Sequence, residues 1–268
     1  MSTDMATIYD CSEQDELLTG MRLARVAIGR GELVVLPTDT VYGLAVDAFN
    51  PDGVQRLLDA KGRTRQSPPP VLIPGIPTLD ALAESVPPEV RALVAAFWPG
   101  GLTVILPASP SLDWDLGDTG GTVALRMPNN RIALELLSET GPLAVSSANL
   151  TGETAARTAQ EAERMLGDSV EVYLDGGEVG LDYEATGLGS TIVDATALLD
   201  GGALRIVRHG VITEAQIDAV LEKFTAETRP VAPNPSVEPV LSAPTENAPA
   251  PSAPTAPPEP TAPPEPAP

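Results

Sequence analysis

Cysteine and histidine each occur only once in this chain, as Cys11 and His209. A single cysteine excludes an internal disulfide, and the two residues together are too few for a zinc site built from several such side chains. A Ser–His–Asp triad would depend on His209 alone, and no neighbouring motif supports one. Cys11 has no basic neighbours in the sequence, so we do not expect a reactive thiolate there.

Positive charge is also scarce, with 16 basic residues against 37 acidic ones and a formal net charge of −21. Such an acidic surface repels phosphate backbones and anionic membranes, so we predict weak or no direct binding to nucleic acids and no membrane binding. No apolar run approaches the roughly 18 residues that span a bilayer. The first residues lack the basic start and apolar stretch of a signal peptide. We therefore expect a soluble, cytoplasmic protein.

The common motifs for nucleotide binding and hydrolysis are missing as well. The chain has no G-x-x-x-x-G-K-[ST] phosphate loop, no G-x-G-x-x-G after a strand and no G-x-S-x-G nucleophile elbow. What remains is a set of arginines, one lysine and several hydroxyls, with few groups able to act as a general base. Such a set suits positioning and charge stabilisation during nucleotidyl transfer.

Composition divides the chain into two parts near residue 225. Residues 1–225 alternate between short β-rich runs and helical patterns, whereas residues 226–268 consist mainly of Pro, Ala, Thr, Ser and Glu. The second part has too little apolar surface to offset the entropy of ordering it. We predict one folded domain, residues 1–225, followed by a disordered tail; a docking segment for a proline-binding module is the alternative for the tail.

The folded part is predicted to be an α/β domain with a mixed sheet, because the strand lengths are uneven and some spacings resemble hairpins. Short apolar runs indicate strands at 33–36, 71–73, 102–106, 123–127, 143–147, 170–174, 190–194 and 204–208. Helical patterns and capping residues indicate helices after Asn50, at 79–85, 89–97 and 131–139, and after the capping boxes 158–161 and 213–216, the last running to Phe224.

Polar residues cluster at three points where a predicted strand or helix ends: residues 37–43, 61–65 and 146–152. Each cluster has an ordinary structural explanation, as a capped turn or as cations beside a helix C-terminus. The Lys-Gly-Arg-Thr-Arg sequence at 61–65 nevertheless favours an anion site, because guanidinium and ammonium groups bind phosphate and carboxylate oxygens. Arg126 ends a buried strand, and buried arginines are rare without an anionic partner.

Six motifs follow one another in the order PTDTVYGL, KGR, LRMP, SSANLTGE, GSTIVD and RHGVIT. In this order they resemble the threonylcarbamoyl-AMP synthases, which have a YrdC-like fold, over residues 32–213. The resemblance implies a twisted sheet of parallel and antiparallel strands with flanking helices and a concave cleft. It also implies the reaction of L-threonine, bicarbonate or CO₂, and ATP to give threonylcarbamoyl-AMP and pyrophosphate. A separate transferase complex would then modify adenosine 37 of tRNAs that read ANN codons.

The same resemblance implies roles for individual side chains. The expected threonine ligands are Thr40, Arg126, Ser147 and Ser190. The expected ATP ligands are Lys61, Arg63, Ser67, Thr122, Asn149 and Arg208. Lys61 and Arg63 would also stabilise charge in the reaction, which makes them the expected catalytic residues. Mg²⁺ would enter with ATP, and no protein side chain is expected to hold a metal.

Four features depart from the pattern of this family, the first being Pro68-Pro69-Pro70, where a Pro-Leu pair is frequent. Leu72 stands where some members carry a polar residue, His209 replaces a common proline, and Arg157 replaces a frequent threonine and is a candidate for a further nucleotide contact. The proline-rich tail lies where longer members have a second domain, so the chain resembles the short, single-domain type. The alternative is a non-catalytic RNA-binding or regulatory protein of the same fold.

Overall fold

A computed structural model describes residues 7–183 and 188–228. The strands are β1 Thr7–Asp10, β2 Val34–Leu36, β3 Gly43–Asp47, β4 Val71–Leu72, β5 Leu102–Pro107, β6 Thr122–Arg126, β7 Leu143–Ser147, β8 Val172–Asp175, β9 Thr191–Asp194 and β10 Arg205–Arg208. The α-helices are α1 Gln14–Gly29, α2 Pro51–Ala60, α3 Ile76–Leu82, α4 Pro88–Phe97, α5 Arg131–Thr140, α6 Ala159–Leu166 and α7 Glu214–Thr228. Two short 3₁₀ helices lie at Gly167–Ser169 and Thr196–Asp200.

In the described residues, the strands form one sheet in the order β1-β8-β2-β3-β7-β4-β6-β5-β9-β10. The pairs β1/β8, β2/β8, β4/β6 and β5/β9 are parallel, and the other neighbouring pairs are antiparallel. The predicted mixed α/β sheet is therefore confirmed. Because the sheet combines parallel and antiparallel strands, the first residues of some strands and the last residues of others lie along the same edge of the sheet. Side chains from distant parts of the sequence can therefore meet there.

Helices pack on both faces of the sheet, but they cover the two faces unequally. Apolar residues of α2, α3, α4, α6 and α7 form the larger core on one face. On the other face α1 and α5 pack over β2, β3, β7, β8 and Leu72, and this second core contains no residue of β5, β6, β9 or β10. Thr103 and Arg126 alternate with residues of the larger core and so point to the second face. That half of the second face carries the polar side chains of Thr103 and Arg126 beside the apolar side chains of Ile105, Ala124 and Ile192.

Local sequence signals explain several element boundaries. The side chain of Asn50 accepts a hydrogen bond from the Gly53 N–H at 2.8 Å and caps α2 as predicted. Thr213 and Gln216 exchange the two hydrogen bonds of a capping box before α7. Before α6, Thr158 Oγ1 accepts from the Glu161 N–H at 3.2 Å as predicted, but the Glu161 carboxylate accepts from the Arg157 N–H at 2.8 Å and not from the Thr158 N–H.

Some elements differ from the prediction. β1, α1 and β3 were not predicted, and α3 begins three residues earlier than expected. Helix α7 continues to Thr228, so residues 226–228 are helical although they belong to the predicted tail. The rest of that tail lies outside the described residues. Within the described ranges, no helix combines the length and apolar character needed to cross a bilayer.

Candidate active site

A cavity of about 250 Å³ lies on the second face, where the core under α1 and α5 meets Thr103 and Arg126. Its walls come from the turn before β3, the residues after α2, the ends of β6, β7 and β10, and the residues just before β9, with Leu72 of β4 and Thr103 of β5. Arg63, Arg126 and Arg208 all contribute to its lining, together with hydroxyl side chains and an apolar part formed by Pro70, Leu72, Val145 and Leu188. The lining therefore combines three guanidinium groups with hydroxyls and a small apolar surface.

The turn after β2 presents the hydroxyl of Thr40 to this cavity. Thr38 Oγ1 accepts from the Thr40 N–H at 3.2 Å and donates to the Val41 carbonyl at 2.6 Å, which fixes the turn. The missing Cβ of Gly180, which has φ of +77°, would lie 2.5 Å from the Thr40 carbonyl oxygen. The Thr38 hydrogen bonds fix the turn, and the glycine at position 180 lets the backbone of Thr40 approach closely. Thr40 is fully buried in this arrangement.

Arg126 is held by contacts on three sides. Its Nε donates to the Gly100 carbonyl at 2.9 Å, its Nη1 donates to Thr40 Oγ1 at 3.0 Å, and its Nη2 donates to Asp39 Oδ1 at 2.6 Å. The sequence predicted an anionic partner supplied by the substrate, whereas the chain itself supplies Asp39. The side chains of Arg126 and Asp39 are 8% and 1% exposed, so water does not compete for this pair.

Arg63 and Arg208 differ from Arg126, because in the described part of the chain neither has a carboxylate at ion-pair distance. Arg63 Nη1 donates to Ser146 Oγ at 3.3 Å, and Arg208 donates from Nε and Nη2 to the Ser190 carbonyl at 3.1 and 2.7 Å. The pKa of Arg208 is lowered by burial and then by the nearby charges of Arg126 and Arg63. The three guanidinium groups therefore repel one another, and a bound anion would relieve that repulsion.

Lys61 adds a fourth positive charge behind the cavity wall. The residue is 1% exposed, and its Nζ donates to the carbonyls of Ser147 and Asn149 and to Asn149 Oδ1. The Asn149 amide nitrogen in turn donates to the carbonyls of Leu150 and Glu153. Burial and then the charge of Arg63 lower the pKa of Lys61 from 10.5 to about 8. The lysine thus fixes the segment after β7 and charges the adjoining wall.

Ser190 and Thr103 form a hydroxyl pair on the opposite wall, with their Oγ atoms 2.7 Å apart. Ser190 Oγ also accepts from Arg208 Nη2 at 3.1 Å. The next residue, Thr191, accepts at Oγ1 from the N–H groups of Gly210 and Ile212 at 3.1 and 2.9 Å. These bonds join β9 to the chain after β10 and thereby hold Arg208 beside the cavity.

Six of the ten predicted site residues line the cavity: Thr40, Arg63, Arg126, Ser147, Ser190 and Arg208. The other four do not line it: Lys61, Ser67, Thr122 and Asn149. Lys61 and Asn149 are buried behind the wall, Ser67 is exposed to solvent, and Thr122 Oγ1 donates to the Thr119 carbonyl at 2.8 Å. The ligand roles of these ten residues remain predictions.

The remaining predictions concern neighbouring positions. Leu72 and His209 line the cavity, but Arg157 does not, because its guanidinium pairs with Glu178 at 2.9 Å and donates to the Val179 carbonyl. Asp39 and Thr103 were missed as site residues. Asp39 stands in the quoted PTDTVYGL motif and could have been questioned as a buried carboxylate, whereas Thr103 carries no signal beyond its place in a predicted strand.

The described residues contain no group of three or more His, Cys, Asp or Glu side chains arranged to hold a metal ion. Guanidinium groups and hydroxyls line the cavity, and Mg²⁺ prefers carboxylate, phosphate and water oxygens. The side chains at the cavity therefore do not fit a magnesium site of their own. Burial raises the pKa of Cys11 to about 11, in agreement with the expected inert thiol.

Comparison with known protein families decides the relationship. The family described as "Telomere recombination" (Sua5/YciO/YrdC) matches residues 26–210. The chain belongs to the Sua5/YciO/YrdC family. A protein of Mycobacterium tuberculosis whose name assigns it provisionally to the threonylcarbamoyl-AMP synthases is 46% identical over 217 residues, covering 81% of this chain and 96% of the relative. The resemblance seen in the motifs is confirmed, and this family of synthases identifies the chain as an enzyme.

Longer members of the Sua5/YciO/YrdC family match over part of their length. The threonylcarbamoyl-AMP synthase of Bacillus subtilis is 38% identical over 77% of this chain and 59% of its own length. The crystal structure of Pyrococcus abyssi Sua5 complexed with L-threonine aligns with a TM-score of 0.72 at 33% identity, covering 80% of this chain and 60% of that one. Escherichia coli YciO, at 21% identity and a TM-score of 0.66, supports the fold alone.

Proposed function

We propose that this chain is an L-threonylcarbamoyladenylate synthase, a nucleotidyltransferase. The amine of L-threonine forms a bond to the carbon of CO₂ and loses a proton to give a carbamate; with bicarbonate the same bond forms and water leaves. A carbamate oxygen then attacks the α-phosphorus of ATP, a phosphorus–oxygen bond to the β-phosphate breaks, and pyrophosphate leaves. The product is threonylcarbamoyl-AMP. No protein nucleophile takes part, which agrees with the high pKa of the single cysteine.

The observation that supports this proposal best is the charge of the cavity. Arg63, Arg126, Arg208 and nearby Lys61 carry four positive charges, and in the described residues only Arg126 has a carboxylate partner, Asp39. In a chain with a formal net charge of −21, this local excess of positive charge is a site for an anion. The triphosphate of ATP and the carboxylate of threonine are anions of the kind that guanidinium groups bind.

The two kinds of arginine suit two different tasks. Arg126 is held on three sides beside Thr40, so we assign it and that hydroxyl, with Ser147 and Ser190, to the amino acid. Arg63 and Arg208 lack carboxylate partners and are assigned to the phosphates, where they stabilise the charge that develops as pyrophosphate leaves. Lys61 and Asn149 support this wall from behind, and Ser67 and Thr122 are assigned to outer parts of the nucleotide.

The wider setting is also part of the proposal. ATP enters as its magnesium complex, with the metal held by the phosphates. The product passes to a tRNA threonylcarbamoyl-transferase complex that modifies ANN-decoding tRNAs, while the acidic chain itself binds tRNA weakly or not at all. We place the reaction in the cytoplasm, because it consumes ATP and its product is used to modify tRNA. The non-catalytic alternative is not favoured, since the synthase motifs and the cationic cavity are both retained.

Pyrophosphate release from ATP tests the proposal directly. Purified protein is assayed with ATP and Mg²⁺, with threonine or bicarbonate omitted in turn, and the nucleotide product is identified by mass spectrometry. We expect release to need both threonine and bicarbonate and to yield threonylcarbamoyl-AMP. Equal release without threonine would refute the assignment of the amino acid, and the absence of any ATP-dependent release would refute adenylation.

A further inference from the structure

The carboxylate of Asp39 accepts hydrogen bonds from three separate chain segments next to the cavity. Its Oδ1 accepts from Arg126 Nη2 at 2.6 Å and from the Asn129 N–H at 2.9 Å. Its Oδ2 accepts from the hydroxyl of Tyr183 at 2.6 Å. With the Asp39 side chain 1% exposed, water cannot replace a donor that is removed.

Tyr183 is the member of this network that no motif of the sequence indicates. It lies between β8 and β9, is half-buried, and is the donor to Asp39 Oδ2 in the described residues. Burial and then the negative charge of Asp39 raise the pKa of its hydroxyl, so the proton stays on the tyrosine and the donor is maintained. A charge-assisted hydrogen bond of this length is among the stronger ones in proteins.

We propose that Tyr183 is a positioning residue for Arg126 and acts through Asp39. This inference rests on the proposed function, in which Arg126 binds the carboxylate of the amino acid. Tyr183 and the Asn129 N–H together fix both oxygens of Asp39, and the fixed carboxylate sets the plane of the Arg126 guanidinium. Without the tyrosine hydroxyl, Oδ2 is left buried without a donor, and the carboxylate rotates towards another donor and carries the guanidinium with it.

The effect is expected to be selective for one substrate. In the described residues, Arg63 and Arg208 make their hydrogen bonds to Ser146 and Ser190, and neither forms a hydrogen bond or ion pair with Asp39 or Tyr183. The proposed phosphate ligands therefore keep their positions when the tyrosine hydroxyl is lost. Threonine binding should weaken, while ATP binding should not.

Tyr183→Phe removes the hydroxyl and keeps the ring. Tyr173→Phe is the matched control, because Tyr173 is also buried and its hydroxyl donates to the Gly167 carbonyl at 2.9 Å, away from the cavity. For Y183F we expect KM for threonine to rise about fivefold, with KM for ATP within about twofold of the original value. Y173F should change neither. Equal changes in both KM values, or kinetics that match Y173F, would overturn the inference.

A second measurement decides the coupling without relying on turnover. The Nε–Hε resonance of Arg126 in the ligand-free protein is identified by its loss in Arg126→Lys and is then recorded in both phenylalanine variants. We expect it to shift or broaden in Y183F and to stay in place in Y173F; an unchanged resonance in Y183F would overturn the inference. If the unaltered protein releases no pyrophosphate, the proposed function fails, and this resonance still shows whether Tyr183 positions Arg126.

Discussion

The protonation of Lys61 should control how tightly the enzyme binds ATP. With a pKa of about 8 in the free protein, this lysine loses its proton as the solution becomes alkaline. Nearby phosphates favour the charged form, so ATP binds best to protein in which Lys61 is protonated. Raising the pH from about 7 to about 9 should then raise Kd for ATP about tenfold, which corresponds to about 1.4 kcal/mol.

Isothermal titration with a non-hydrolysable ATP analogue measures this effect. Repeating the titration in buffers of different ionisation enthalpy counts the protons taken up, and we expect uptake on binding near the upper end of the range. Cys11 does not interfere, because burial keeps its pKa at about 11. Lys61→Met should remove the dependence on pH. Lys223→Met is the control, because Lys223, the other lysine of the chain, is 77% exposed on α7.

The stability of the free protein should respond to pH with the opposite sign. The pKa of Lys61 is lower in the folded state than the 10.5 of the unfolded chain, so between these values the unfolded state holds the proton more tightly. Stability from this group therefore rises as the pH increases from about 8 to about 10.5, by up to about 3 kcal/mol. Chemical denaturation of the original protein and of Lys61→Met gives the difference. An ATP affinity that does not change with pH, or a K223M variant that loses the dependence, would refute the reasoning.

Three further predictions use standard assays. Arg63→Gln should lower kcat/KM for ATP at least about tenfold, because it removes charge stabilisation. The control is Arg65→Gln, which should stay within about twofold of the original value, because the Arg65 guanidinium pairs with Asp115 outside the cavity. Similar losses in both variants would contradict the assigned phosphate site. Gly180→Ala should raise KM for threonine, because the added Cβ collides with the turn that holds Thr40. Gly177→Ala should not raise it, because Gly177 also has a positive φ but has open space where the Cβ would lie. Equal effects of the two substitutions would mean that backbone strain alone is responsible. Deletion of residues 230–268 should leave Tm and turnover nearly unchanged, and a clear loss of either would show that the tail contributes.

Apolar runs in the sequence predicted most of the sheet, because they report burial directly. The run at 33–36 became the fully buried strand β2, and the run at 143–147 became β7. The strand β3 was missed, since its first residue, Gly43, also ends the polar segment 37–43, and only a short apolar run, 44–46, follows. Its start at Gly43 is set by pairing with Ser147, more than a hundred residues away.

Helix α1 shows a different kind of failure. Its buried residues Leu17, Met21, Ala24 and Ile28 recur at intervals of three and four, which is the spacing of a helix face. This element could have been predicted from the sequence.

The internal connections of the site could not have been predicted in the same way. The motifs indicated Arg126 and Thr40, but not that Asp39 would neutralise the arginine from 87 residues away. Tyr183 lies 144 residues from Asp39, in a segment with no recognisable pattern. Such pairings arise from the packing of distant segments, so local periodicity and propensity contain no information about them.

The positive interior of an otherwise acidic molecule affects how a nucleotide reaches its binding place. From solution, ATP first meets a predominantly negative potential, and the attraction of the arginines is felt only within roughly 8 Å at physiological ionic strength. Added salt weakens the outer repulsion as well as the inner attraction. The rate at which ATP associates with this protein should therefore change little as salt is added. For a basic nucleotide-binding protein, the association rate falls as salt is added, because salt screens the attraction. Long polyanions cannot place all their charges inside the cavity, so the acidic surface continues to repel them. Small anions can therefore enter the cavity in their presence.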